Sequence, residues 1–308
     1  MPELPEVETI RRQLAPEVVG RRIVAVEVLD ERWTRPEPPR SLERAVAGRA
    51  IEAVERRGKY LIIRLDADRA LVMHLRMTGN LLLRPADAPA GTAADLMEPE
   101  RLGAPRLYES PTQLRFLRAR LELDDGSELL FTDARRFGHA VALEGDQVEG
   151  YFAARLGVEP LSEELTAGAL LELASGRTAP LKSFLLNQER IAGIGNIYAD
   201  EALFRAELHP LSPAGSMRAE HAEALRQGIV EALELALRNG GSSIDDYRDA
   251  RGEQGSMQDE FLVHTRDGQE CPRCGEAIRR VVVGGRSTYF CPGCQVRLRR
   301  RRRKAARR

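Results

Sequence analysis

The sequence predicts an α+β protein of several domains: a β-rich first half, a helical stretch, a cysteine-bearing β-hairpin and a basic tail. Three features lead there. Strand-like apolar runs joined by short turns fill most of the chain up to about residue 150, which suggests an antiparallel sandwich rather than alternating α/β units. Helical-period runs follow, and the cysteines form a single C-x2-C-x16-C-x2-C pattern near the end. The expected boundaries are 1–150 for the sandwich, 151–262 for the helices, 263–298 for the hairpin and 299–308 for the tail. A length of 308 residues, 43% hydrophobic and 31% charged, suffices for about two packed domains and excludes a disordered chain. No apolar run approaches the roughly 18 residues of a membrane span. The start, MPELPEVET, lacks the basic and apolar segments of a secretory signal, so a soluble, intracellular protein with no membrane partner is expected.

The elements read in order as follows. Pro5 suits a first helical position, with Val7, Ile10 and Leu14 at helical spacing behind it, so one short helix opens the chain. Strands are expected at Ile23–Val28, Tyr60–Leu65, Ala70–Met77 and Asn80–Leu83, and at Arg118–Leu123 and Glu128–Thr132 around the Asp125-Gly126 turn. Pro85–Pro111, rich in Pro, Ala and Gly without periodicity, reads as a long surface loop. Beyond residue 150, helices are expected at Ala167–Leu173, around Lys182–Asn187 and at Ala219–Arg238, the last closed by Asn239-Gly240-Gly241. Gly252–Met257 has a flexible composition.

A net charge of zero conceals an asymmetry. From Cys271 to Arg308 there are thirteen Lys or Arg against one acid, Glu276, a balance of +12, so the preceding 270 residues carry −12. A basic end points to a polyanion. Only Lys59, Lys182 and Lys304 are lysines; the other 44 cations are arginines, which genome composition alone can explain.

Cys271, Cys274, Cys291 and Cys294 have the spacing of a four-thiolate zinc site, and a cytosolic chain disfavours the alternative of two disulfides. Four protein ligands leave zinc no open position, so one structural zinc per chain is expected. Ile278–Val283 and Ser287–Phe290 read as strands around a Gly284-Gly285 turn, with Arg286 at the tip. A ribbon of this kind serves protein contacts or nucleic acid. The arginines here and beyond favour nucleic acid.

The first residues form a second constellation. Pro2 is small enough for removal of Met1, which would leave a secondary amine. An α-amino group titrates near about 7.7–8.0, so part of it is a free nucleophile at neutral pH, whereas lysine, near about 10.4, needs burial to match it. Such an amine can attack a sugar C1′ to form an iminium, with Glu3 adjacent to move protons and Glu6 one turn on. The plain alternative is a helix start, with acids favoured by the helix dipole.

Six motifs then stand in order along the chain: PELPEVETIRR at the start, ERRGKYLI at 55–62, MHLRMTG at 73–79, DARRFG at 133–138, GIGNIYADEALF at 193–204 and GRSTYFCPGCQ at 285–295. Together they resemble formamidopyrimidine-DNA glycosylase, whose sister branch is endonuclease VIII. The resemblance implies a β-sandwich, a helix-two-turn-helix domain and a zinc-finger hairpin, with damaged double-stranded DNA bound in the cleft between domains. It also implies a monomeric, bifunctional glycosylase and abasic-site lyase acting at a bacterial-type nucleoid. The catalytic set is then Pro2 as Schiff-base nucleophile, Glu3 as acid/base partner, Lys59 and Arg286. The DNA-binding set is His74, Asn196 and Arg286 on phosphates, with Met77, Arg135 and Phe137 filling the void left by a flipped nucleotide. Outside the resemblance, Met77 and Phe137 would read as core and His74 as a surface histidine.

Three departures qualify the likeness. Residues 85–117 are longer than the family's usual connection. Thr78 stands where some members carry a lesion-touching glutamate. The tail after Gln295 lies outside the family core and reads as a non-specific DNA clamp. The expected substrate is an oxidised purine (a formamidopyrimidine or 8-oxoguanine), released before β- and δ-elimination. GRSTYFCPGCQ and DARRFG favour this over the rival reading of oxidised pyrimidines. Intact Pro2 and Glu3 oppose the other rival, a damaged-DNA-binding protein without catalysis.

Overall fold

A computed structural model describes residues 2–87, 114–244 and 246–299. Most of the expected 85–111 loop, most of the 85–117 insertion and the tail beyond Arg299 lie outside the described residues. The chain divides into two compact units: Met1–Ala154 with Ala236–Gln258, and Arg155–Leu235 with Asp259–Arg308.

The first unit opens with helix α1 (Leu4–Val18), longer than the short helix expected. Leu4, Val7, Ile10, Leu14 and Val18 recur at three- and four-residue steps and are all buried. Burying each such side chain contributes roughly 1.5–3 kcal/mol, which keeps the helix going through Pro16. Two four-stranded antiparallel sheets follow. One orders β1 (Ile23–Val28), β6 (Leu117–Leu123), β7 (Glu128–Asp133) and β5 (Gly79–Arg84). The other orders β2 (Ile51–Arg57), β3 (Tyr60–Leu65), β4 (Arg69–His74) and β8 (His139–Glu144). Inward side chains of both, among them Leu121, Phe131, Leu61 and Met73, share one core with α1 and with Trp33, whose ring lies 5.1 Å from that of Phe131. Helices α2 (Pro39–Val46) and α3 (Gly145–Ala153) complete the unit.

Sheet register decides what stands beside what. Tyr60 pairs with His74, and His74 with His139, so three aromatic side chains line up across β3, β4 and β8. Gly79 pairs with Asp133, which sets the MHLRMTG turn against the start of the DARRFG loop.

The second unit holds α4 (Ala167–Ala174), α5 (Leu181–Leu185), α6 (Asn196–Arg205) and most of α7 (Ala219–Arg238). A hairpin of β9 (Arg279–Val283) and β10 (Arg286–Phe290) pairs Arg286 with Val283 around Gly284-Gly285, as the turn residues imply. Helix α7 ends in a Schellman motif: the Gly241 N–H donates to the Ala236 carbonyl at 2.8 Å and the Gly240 N–H to Leu237 at 3.4 Å.

The chain after α7 then joins the first unit, with Arg248 N–H on the Asn80 amide oxygen (2.7 Å) and Ala250 N–H on Gln13 (2.9 Å). Residues 252–257, flexible by composition, are held there: Gly255 N–H donates to the Ser243 hydroxyl at 3.0 Å and Met257 N–H to the Gly241 carbonyl at 3.0 Å. Gly241 itself has φ +82°, and a Cβ there would stand 2.8 Å from Glu6 Cγ and Oε1. Gly241→Ala is therefore expected to cost about 1–3 kcal/mol from the left-handed backbone alone, and to displace Glu6 besides. Urea unfolding checks this; a variant as stable as the parent would show that Glu6 does not need the space.

Candidate active site and zinc centre

Pro2 and Glu3 are buried at the start of α1. What holds them is Glu6, itself 1% exposed. Its Oε2 accepts the Glu3 N–H at 2.8 Å, and its Oε1 accepts the Ser242 N–H at 2.7 Å. A carboxylate at the third position of a helix also sits in the favourable field of the helix N-terminus. The Tyr247 hydroxyl donates to the Glu6 carbonyl at 3.3 Å. Burial, with the Glu6 and Asp249 charges, pushes the Tyr247 phenol well above its usual range, so it stays a donor.

Lys59 occupies the two-residue turn Gly58-Lys59 between β2 and β3 and is buried. Glu8 of α1 ties this turn to the helix. It pairs with Arg56 at 3.3 Å, and Arg56 donates to the Gly58 carbonyl at 2.9 Å. Burial alone would raise the Glu8 carboxyl, but the Arg11 and Arg12 guanidiniums bring it below its ordinary value.

His74 is not the surface histidine its strand pattern suggests: it is 8% exposed and meets the Tyr60 ring edge-on at 4.5 Å. Burial, then the positive groups of Arg76, His139 and Lys59, hold its pKa well below the usual value. Nδ1 accepts the Arg76 N–H at 2.9 Å, so the ring proton sits on Nε2. His74 is thus a neutral N–H donor. Because its folded-state value lies below the unfolded one, its contribution to stability is present above the unfolded pKa and is lost as pH falls below it.

Met77 and Phe137 are not core either, at 39% and 53% exposed. Arg135 is exposed and stacks its guanidinium over the Phe137 ring at 4.9 Å. Arg136, between them, turns away at φ +61° and grips Asp30 at 2.8 Å, holding the Asp30 carboxyl below its usual value. One cation of DARRFG is therefore structural and the other faces out.

In the second unit, Asn196 opens α6 and donates its side-chain amide to the Ser287 carbonyl on the hairpin at 3.1 Å. Arg286 is exposed at the hairpin tip. Beneath α6 lies a buried ionic group absent from the sequence expectations. Lys182, fully buried, donates to Asp200 and to the Asn196 carbonyl at 2.6 Å each, and Asp200 also meets His264 Nδ1 at 2.8 Å. Lys182 lies in an expected helix and Asp200 in the GIGNIYADEALF motif, but nothing in their spacing announces that they pair.

The four cysteines are free of disulfides, and their sulfurs all lie within 4.8 Å of one another. Cys271 and Cys294 are 3.8 Å apart and Cys274 and Cys291 3.4 Å. Zinc–thiolate bonds of about 2.3 Å in a tetrahedron place sulfurs roughly 3.8 Å apart, so the set fits zinc. The N–H groups of Arg273 and Cys294 point at Cys271 and Cys291 sulfurs from 3.4 Å, as donors to thiolates do. Burial would raise the Cys271 thiol, but the N–H groups of Arg273 and Cys274 bring it down to about 7. The purified protein is expected to hold one zinc per chain, and chelation is expected to weaken DNA binding while the sandwich stays folded. Metal analysis and circular dichroism check both; active protein with almost no zinc would refute the assignment.

Comparison with known proteins identifies the family. Family models match at residues 1–140 (formamidopyrimidine-DNA glycosylase N-terminal domain), 156–248 (formamidopyrimidine-DNA glycosylase H2TH domain) and 268–296 (zinc finger found in FPG and IleRS). The formamidopyrimidine-DNA glycosylase of Chloroflexus aggregans is 44% identical over 298 residues, covering 96% of this chain and 99% of its own. A mutant Lactococcus lactis enzyme in complex with a Fapy-dG containing DNA superimposes with a TM-score of 0.81 at 35% identity, over 96% of this chain and 99% of that one. The wild-type Lactococcus lactis enzyme with an oxidised-pyrimidine containing DNA gives 0.80 at 35% identity, over 96% and 99%. The N-terminal sandwich, the helical module and the four-cysteine hairpin thus follow one known plan through 96% of the sequence, and the chain belongs to the formamidopyrimidine-DNA glycosylase family of base-excision repair enzymes.

Proposed function

We propose that this glycosylase excises oxidised purines by attack of the Pro2 amine on C1′, and then opens the strand by β- and δ-elimination. The observation that carries the reading is the buried Pro2–Glu3 pair, held by a carboxylate that bonds two backbone N–H groups. After loss of Met1, the Pro2 nitrogen forms a bond to C1′ as the C1′–base bond breaks, and Glu3 supplies the proton that opens the sugar ring. The iminium that remains makes the C2′ proton acidic, and its loss expels the 3′ phosphate. The conjugated iminium so formed makes the C4′ proton acidic in turn, and its loss expels the 5′ phosphate. Lys59, the neutral Nε2–H of His74, Asn196 and Arg286 are assigned to backbone phosphates, which place the duplex without reading its sequence. Asn196, at a helix N-terminus, suits that role doubly.

Met77, Arg135 and Phe137 are assigned to the space vacated by the extruded nucleotide, since unstacking costs a few kcal/mol that an inserted wedge offsets. The boundaries 1–150, 151–262, 263–298 and 299–308 remain our division by function, and a cytoplasmic, nucleoid-associated setting follows from the substrate. No helix among the described residues is long and apolar enough to cross a membrane. A second reading, oxidised pyrimidines, draws on the Lactococcus lactis enzyme's structure with such a DNA.

Borohydride added during the reaction is expected to join protein to DNA at residue 2. Pro2→Gly keeps an amine but loses the ring, and its trapping is expected to fall sharply. Glu3→Gln is expected to lose about 10²–10⁴-fold in excision, with binding much less affected. Peptide mapping is the check: a cross-link at Lys59, with Pro2→Gly fully active, would overturn the mechanism.

A further inference from the structure

We propose that the Thr78 hydroxyl and the Asp133 carboxylate form a clamp that locks the Met77 turn and the Arg135–Phe137 loop into one wedge. Both are then positioning residues for nucleotide extrusion. The proposal rests on the reading of Met77, Arg135 and Phe137 as that wedge.

The two loops have no sequence proximity; the pairing of β5 with β7 brings them together, with Gly79 opposite Asp133. Thr78, one residue before that pair, donates its hydroxyl to Asp133 Oδ1. The Arg135 N–H points at both partners, 3.1 Å from Thr78 Oγ1 and 3.1 Å from Asp133 Oδ1. The other carboxylate oxygen, Oδ2, accepts the Gly138 N–H at 2.7 Å. One buried carboxylate therefore holds the far end of the DARRFG loop, its middle and the neighbouring turn at once. Thr78 and Asp133 are both buried, so water does not compete for these bonds.

The surroundings stiffen the frame. On the Met77 side, Gly79 N–H donates to the Leu75 carbonyl at 3.0 Å, and a Cβ on Gly79 would stand 2.4 Å from that oxygen. Only glycine closes the turn this tightly. On the other side, Arg118 donates to the Asp133 carbonyl at 2.8 Å, and Arg136 is drawn off to Asp30. Met77, Arg135 and Phe137 then leave a rigid base into solvent. A wedge that must hold a base pair open gains from such rigidity, because a tip that recoils gives the gap back.

The clamp also accounts for Thr78 standing where some relatives carry a glutamate. Its oxygen donates to one partner and accepts from another, inside the unit. It holds the wedge and does not read the lesion.

The test compares single-turnover excision of 8-oxoguanine from a duplex with cleavage of an abasic site in a single strand, where no base leaves a stack. Thr78→Val is expected to slow the duplex reaction about tenfold, the scale of one lost hydrogen bond, and the single-strand reaction by less than about twofold. Thr78→Ser is expected to restore the duplex rate. In a Met77→Ala background, Thr78→Val is expected to add nothing, because the clamp acts through the wedge. A duplex rate unchanged in Thr78→Val, or losses that simply multiply in the double variant, would overturn the clamp while Met77→Ala still shows the wedge. Equal effects of Met77→Ala on both substrates would instead sink the wedge reading beneath it. Should Thr78→Val fail on both substrates, Thr78→Ala decides: a selective duplex loss supports the clamp, and equal losses overturn it.

Discussion

The candidate active site depends on one buried carboxylate. Glu6 lies within the first helix, yet its two oxygens are bonded to N–H groups far apart in sequence, on Glu3 and on Ser242. Each is a charge-assisted bond of ordinary length, and a carboxylate taken out of water is tolerable only when donors of this kind replace the solvent. The consequence is positional. The segment carrying Pro2 and Glu3 cannot fray like a free terminus, because its first N–H is held by a side chain that is held in turn by Ser242, 236 positions further along the chain. Gly241 makes the approach possible, since any side chain at that position would occupy the volume of Glu6.

Much of this was legible beforehand, and the limits are physical. Strands β1 and β3 and helix α7 have the bounds that periodicity predicts, because each carries its own burial pattern within a few residues. The hairpin β9–β10 follows from its two glycines. Helix α2, strands β2 and β8 and helix α3 were not anticipated: each is short, and tertiary packing selects its structure. The return of residues 236–258 to the first unit was likewise hidden. That return is held by hydrogen bonds such as those from Arg248 to Asn80 and from Ala250 to Gln13, each across more than 150 positions, with Tyr247 and Ala250 packed into the sandwich core. No local period encodes such a partner.

The site shows the same division. Motifs supplied Pro2, Glu3, Lys59, His74, Met77, Arg135, Phe137, Asn196, Arg286 and the four cysteines as candidates. They did not supply what holds those residues: Glu6 bridging, Glu8 through Arg56 to the Lys59 turn, Arg136 on Asp30. The exposure of Met77 and Phe137 and the burial of His74 reverse what each residue type suggests in isolation. The two lysines among the described residues also separate. Lys182 is fully buried on Asp200 and on the Asn196 carbonyl, so its ammonium serves the start of α6. Among the described residues, Lys59 is left as the lysine that could rival the N-terminal amine.

The central claim is that an anchored N-terminal proline, and not a lysine, attacks the sugar. The most direct measurement is a crystal structure of the borohydride-trapped complex with abasic-site DNA. The account predicts continuous density from the Pro2 nitrogen to C1′, with Glu6 still bridging the Glu3 and Ser242 N–H groups. Density joining C1′ to the Lys59 Nζ, or a Pro2 linkage with Glu6 turned away from both N–H groups, would contradict it.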